Sequence, residues 1–378
     1  MYKEIKLRGL ALLLSLLSVS LGYTQNVITT AAPFLTISPD ARAAGMADTG
    51  AATSPDVNSS YWNPAKIVFI EKESGASISY TPWLGKILND MWLFYGTGYY
   101  KITREQAISV SMRYFNLGDI TFRDEFGKIT GEHRPSEYAI DASYSRMLTE
   151  NFSLGVTARY INSNLLGGNS SSLDQDTRPG RSVAVDLGAY YDKDLALFGK
   201  NANLALGIGM SNIGRKITYT DENNRDFIPT NLKLGTALTT NIDPFNSITI
   251  AVDVNKLMVP TPNPTDTTYN PTLLKGMFSS FGDAPGGFDE ELKEYIISVG
   301  AEYWYNDTFA FRVGYFNESK DKGDRKYLTA GLGFRYQVFG VDFAYLLPKE
   351  RSHPLAETVR FTLIFDFNSS QQEESIVE

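Results

Sequence analysis

The chain has 378 residues, a formal net charge of −8 from 35 Lys and Arg against 43 Asp and Glu, and no cysteine. An acidic chain without clustered Lys and Arg is not built to hold nucleic acid. The missing thiols exclude a small disulfide-stapled fold and any thiolate metal site.

Lys3, Lys6 and Arg8 precede an apolar run from Leu10 to Leu21, followed by Gly22-Tyr23-Thr24. Basic flank, apolar run and small residues in that order predict a secretory signal peptide over residues 1–24, with a run too short to span a bilayer as a helix. Cleavage near Gln25 would remove a net charge of +2 and leave −10. No later stretch approaches the roughly 18 apolar residues of a spanning helix. Aromatic residues nevertheless reach 13%, and with 31 Gly in an exported chain this composition suits membrane-crossing strands.

Residues 25–73 show no strand period. Ala41 to Ala47 has helix-compatible alanine spacing behind Asp40. Asn58 to Ala65 reads as a compact turn, because Asn63 before Pro64 disfavours helix. A segment this apolar ahead of the first strand is expected to fold into a barrel as its plug.

From residue 74 to 368 the period is two. Phe152, Leu154, Val156, Ala158 and Tyr160 alternate with Ser153, Gly155, Thr157 and Arg159. Ile248, Ile250, Val252 and Val254 alternate with Thr249, Ala251, Asp253 and Asn255; Val359, Phe361, Leu363, Phe365 and Phe367 alternate with Arg360, Thr362, Ile364 and Asp366. Each segment therefore has one apolar wall and one small or polar wall. Charges of both signs fall on the second wall: Arg113, Asp141, Arg159, Asp186, Lys233, Asp253, Glu302, Arg312, Arg335, Asp342, Arg360 and Asp366. A soluble sandwich alternates too, but this wall suits a lumen in which charges pair. Tyr114, Tyr144, Tyr160, Tyr303, Tyr315 and Tyr345 on the apolar wall suit the aromatic girdles of a membrane barrel.

Fourteen strands are expected, at about 75–82, 90–101, 105–116, 136–147, 151–162, 181–192, 202–212, 230–241, 246–257, 294–305, 308–318, 325–336, 338–347 and 357–367. Tight links such as Thr103-Arg104, Asn306-Asp307 and Gln337 alternate with long ones near 117–135, 163–180, 213–229, 258–293 and 348–356. That sorting predicts an all-β transmembrane barrel of the outer membrane with both termini periplasmic. Phe367 ends the last strand as an insertion-signal aromatic, and residues 369–378 form a polar, acidic periplasmic tail.

The Ala41-Arg42-Ala43-Ala44-Gly45-Met46 stretch, followed by Tyr61-Trp62-Asn63-Pro64-Ala65, resembles the N-terminal signature of the PorV/PorQ group of FadL-like barrels. The resemblance runs over nearly the whole chain, including the Pro-rich loop near 259–271, and marks Arg42, Gly45, Met46, Trp62, Asn63, Pro64 and Ala65 as a plug motif. It implies a non-enzymatic protein of the type IX secretion system in a Bacteroidota-like Gram-negative bacterium. Its partners would be outer-membrane lipid, a large translocon barrel, the C-terminal signal domains of secreted proteins and a sortase-like attachment protein. The alternative is a FadL-like channel for hydrophobic solutes. Lys66 stands where FadL proper has Gly, and the lumen charges interrupt an apolar path.

No catalytic residue, metal site or cofactor is expected. His133 and His353 fall in predicted loops without a nucleophile and orienting carboxylate, which also disfavours lipid A deacylation. Gly207-Ile208-Gly209 lacks the helix of a dinucleotide site, and Asp174 with Asp176 reads as a solvated turn rather than a Ca²⁺ loop. The informative loop holds Leu273, Leu274, Met277, Phe278, Phe281 and Phe288 among glycines. Apolar loop side chains need cover, either as a lid in the barrel mouth or against a protein partner. Trp83, Leu84, Ile87, Leu88 and Trp92 are expected to extend the same surface.

Overall fold

A computed structural model describes residues 26–84, 90–165, 177–197, 199–220, 225–263, 266, 270–348 and 358–367. The expected signal peptide and tail, Ile87, Leu88, Asp174, Asp176 and His353 lie outside the described residues. Strands in chain order are Ser74–Pro82 (β1), Met91–Thr103 (β2), Gln106–Leu117 (β3), Ile120–Arg123 (β4), Ile129–His133 (β5) and Ser136–Thr149 (β6). Phe152–Asn164 (β7), Gly180–Leu197 (β8), Lys200–Gly214 (β9), Asn231–Asp243 (β10) and Asn246–Leu257 (β11) follow. Tyr295–Tyr305 (β12), Phe309–Asn317 (β13), Lys326–Tyr336 (β14), Phe339–Pro348 (β15) and Val359–Phe367 (β16) complete the set.

Fourteen of these close into one antiparallel barrel, sealed where β1 pairs with β16 from Ser74↔Phe367 to Tyr80↔Phe361. The alternation sets the two faces. On β7 Ser153 and Thr157 are buried in the lumen, whereas Leu154 and Val156 are exposed outward. Outward rings form two belts. Tyr80, Trp92 and Tyr114 adjoin near the long-loop end, with Trp92 to Tyr114 at 5.5 Å; Phe309 and Phe334 lie 5.2 Å apart near the short-turn end. An apolar wall between two aromatic belts is what a bilayer selects.

Two expectations are corrected. β4 and β5, in what reads as loop, form a separate two-stranded hairpin; its residues are nearly all exposed, so no buried face imposes a visible period. β8 runs on past residue 192 and β9 starts at Lys200 instead of 202, so that they meet at Leu197↔Lys200, because pairing with each other needs no lipid-facing pattern.

Inside the barrel lie a 3-10 turn at Pro33–Thr36, short helices at Ala41–Gly45 and Ser59–Trp62, and a 3-10 segment at Pro64–Phe69. Asp40 caps the first helix by accepting the Ala43 N–H at 2.9 Å. The plug does not start beside the first strand. Phe367 and Ser74 lie at the short-turn end, but Asn26 donates to Glu290 in the long 258–294 connection at 3.1 Å, and Ala31 N–H to Phe227 O at 2.8 Å. The N-terminal segment therefore descends the lumen from the long-loop end. Lumen pairing, not chain order, sets that direction.

Candidate functional site: the plugged lumen and its rim

The Asn63-Pro64-Ala65 turn shows how sequence seats the plug. Asn63 Oδ1 accepts the Ala65 N–H at 3.1 Å, and its amide donates to Ala189 O at 3.0 Å. Pro64, at a helix start, gives up no needed N–H. Ala65 O then accepts Ser145 Oγ at 3.0 Å and Ser153 Oγ at 2.6 Å from the wall. Gly50 and Ala51 donate their N–H groups to one Asp253 oxygen, each at 2.9 Å. Trp62 Nε1 donates to Asp40 at 2.7 Å.

Arg42 carries the main electrostatic tie. Its guanidinium grips Glu302 at 3.0 and 2.7 Å and Asp56 at 2.9 Å. Glu302 also accepts Arg312 at 2.6 Å; Arg312 reaches Asp342 at 2.8 Å, and Asp342 takes Arg335 at 2.7 Å. A second cluster joins Arg113, Asp141, Arg159 and Asp186 across four neighbouring strands, with Arg159 to Asp141 at 2.6 Å and to Asp186 at 2.8 Å. The lumen charges thus pair as the alternation implies, and such buried pairs hold a specific arrangement because breaking one strands a charge.

Above the plug a cavity of about 520 Å³ opens toward the long loops, lined by residues 27–30 and by Tyr61, Trp62, Asn231, Lys233 and Asn255 among others. Its rim is ionic: Lys322 binds Glu290 at 2.6 Å and Glu294 at 2.9 Å, and Lys256 binds Glu291 at 2.6 Å and Glu294 at 2.7 Å. Burial by itself would raise the Glu290 carboxyl; the Lys322 ammonium and the Gly286 N–H outweigh it and hold it below the usual carboxylate range.

The family described as type IX secretion system protein PorV matches residues 21–264, well over half of the chain. The chain belongs to the PorV family. Among solved structures this PorV-family barrel is similar to the Ralstonia pickettii toluene transporter TbuX, at 13% identity over 87% of this chain and 98% of that one, with a TM-score of 0.48. It is also similar to the P. putida toluene transporter TodX, at 10% identity over 87% and 99% with a TM-score of 0.49. A Pseudomonas aeruginosa FadL homologue shares 12% identity over 90% and 99%, with a TM-score of 0.45. No curated protein matches it in sequence.

In this PorV-family chain Arg42, Gly45, Met46, Trp62, Asn63, Pro64 and Ala65 are all buried in the plug. Lys66, the departure from the FadL pattern, is also buried there; its ammonium donates to Gly50 O at 2.8 Å and Thr53 Oγ1 at 3.2 Å. The loop residues divide. Helix Leu273–Ser279 turns Leu274 and Phe278 outward at 61% and 70% exposure, and Phe288 is 73% exposed. Phe281 is exposed and Leu273 half-buried. Met277 is corrected as a partner contact: at 3% exposure it faces the fold, about 100° round the helix from the exposed Phe278. Trp83 is half-buried; it packs edge-on against Phe115 at 6.2 Å, on the cluster that includes Phe34 and Leu35. Leu84 is half-buried, at φ +52°. Trp92 belongs to the outward aromatic belt.

The rim network escapes sequence reasoning, although Lys256 carries a trace of it. It continues the outward parity of Ile248, Ile250, Val252 and Val254, and a buried lysine there marks where β11 leaves lipid and the 258–294 connection covers it.

Proposed function

We propose that this chain is a non-enzymatic carrier of the type IX secretion system. It holds the C-terminal signal domains of cargo as they leave a large translocon barrel and passes them to a sortase-like attachment protein at the surface. In this reading the short-turn end is periplasmic and the long-loop end faces outward. The observation that carries it is the pairing of a plugged lumen with an exposed apolar patch on the longest connection: Leu274, Phe278, Phe288 and Leu292, at 52–73% exposure. Large apolar side chains held in water on short helices call for a protein partner. The solute-channel reading draws on the cavity above the plug, which Leu35, Tyr61 and Trp62 line, but the lumen beneath is filled by the ion-paired plug.

Changing Leu274, Phe278 and Phe288 together to Ser is expected to lower recovery of C-terminal signal domains on the detergent-solubilised barrel at least tenfold, with heat-resistant folding intact. Unchanged recovery would remove the patch from the reading.

A further inference from the structure

The upper lumen holds three unsatisfied groups facing one space. Lys233, on β10, has its ammonium 4.3 Å from the Trp62 ring and 5.0 Å from the Tyr61 ring. Among the described residues no carboxylate comes within ion-pair distance of it. The neighbouring cations Arg113, Arg159, Lys256 and Lys322 are all paired. Asn255, the register partner of Lys233 on β11, has a buried Oδ1 that receives no donor among the described residues. Val27–Thr30 form a wall of the same cavity and make no backbone hydrogen bond among the described residues. Both ends of that wall are pinned, by Asn26 on Glu290 and Ala31 on Phe227.

A half-buried cation without an ion pair favours an anion, and a buried amide oxygen without a donor calls for an N–H. A free backbone edge is what an extended peptide recognises when it adds as a strand. A fatty carboxylate supplies the anion but neither the N–H nor the edge pairing. The C-terminal end of a polypeptide supplies all three. The cavity, at about 520 Å³, lies in the roughly 300–1,000 Å³ range of small-ligand pockets.

We propose that this cavity binds the free C-terminal end of an extended polypeptide. Its α-carboxylate sits on Lys233, its last main-chain N–H groups meet Asn255, and its backbone runs along Val27–Thr30. The proposal rests on the carrier reading and deepens it, since it says which end of a cargo signal would be held and where. The Trp62 and Tyr61 faces that now hold the ammonium would keep it in place beside the carboxylate.

The test titrates three probes into the full chain in detergent micelles: a fluorescein-labelled five-residue valine–threonine peptide with a free carboxylate, the same peptide amidated, and dodecanoate as competitor. Anisotropy is expected to show the acid binding at least tenfold tighter than the amide. Lys233→Met should erase that difference and Lys233→Arg should keep most of it, while Asn255→Ala weakens both peptides. Equal affinity for acid and amide in the unmodified chain overturns the proposal even if Lys233→Met fails to fold. So does displacement of the acid peptide from a site that the amide also occupies by micromolar dodecanoate, which marks a lipid site. If Lys233→Met still captures full C-terminal signal domains normally, the pocket is wrong and the loop patch stands untouched.

Discussion

Replacing Glu302 with glutamine is expected to destabilise plug seating by about 3–5 kcal/mol, the usual cost of breaking a buried ion pair from one side. Glu302 is 1% exposed and is the one carboxylate shared by Arg42 of the plug and Arg312 of the wall. A neutral amide leaves two guanidinium groups facing each other with Asp56 and Asp342 as their remaining anions. Arg42→Met should cost less, because Glu302 keeps Arg312. The double variant Arg42→Met with Glu302→Gln should fall well short of the sum, since both changes remove one interaction. Denaturant unfolding in detergent gives these values, and planar-bilayer recordings should show openings that the unmodified chain lacks. A loss within about 0.5 kcal/mol for Glu302→Gln, the range of an ordinary surface change, would mean that the plug is held by packing alone.

Gly155→Val is expected to expel the Asn63-Pro64-Ala65 turn from the wall while leaving the barrel closed. A Cβ at Gly155 would fall 2.4 Å from both Ala65 N and Pro64 C, backbone atoms that no rotamer change can move. Shifting the turn far enough to relieve that overlap breaks the Ser145 and Ser153 bonds to Ala65 O. Overpacking costs about 1–3 kcal/mol, and two lost hydrogen bonds add about 1–3 more. Gly209→Ala is the matched control: its nearest neighbour, Trp62 O, lies at 3.5 Å, an ordinary contact. Protease cleavage of the plug and raised conductance in the valine variant alone would bear this out. A Gly155→Val chain that stays closed and equally stable would show that the turn has room to move.

Much of the barrel was legible because side chains on a strand have only two directions. Leu154 and Val156 against Ser153 and Thr157 report lipid and lumen directly, and the same reading over fourteen segments yields the strand number, the inward charges and the outward aromatics. The hairpin of β4 and β5 left no such trace because neither face is buried. The loop surface was half legible: Leu274, Phe278 and Phe288 read as apolar and are exposed, but Met277 reads the same way and points inward, and Trp83 is half-buried on a core cluster. Hydrophobicity identifies a residue that wants cover and says nothing of which neighbour supplies it.

Sequence by itself determined which residues face lipid and which face the lumen, since that follows from a local repeat of two and from the chemistry of the bilayer. Tertiary structure alone decided that Arg42 meets Glu302 across 260 residues, that Asn26 rises to Glu290 instead of staying beside Phe367, and that Lys233 has no ion-pair partner among the described residues. Those outcomes depend on which strands happen to be neighbours around a closed wall. Periodicity fixes the side of the wall on which a charge lies; closure of the ring fixes what stands opposite it.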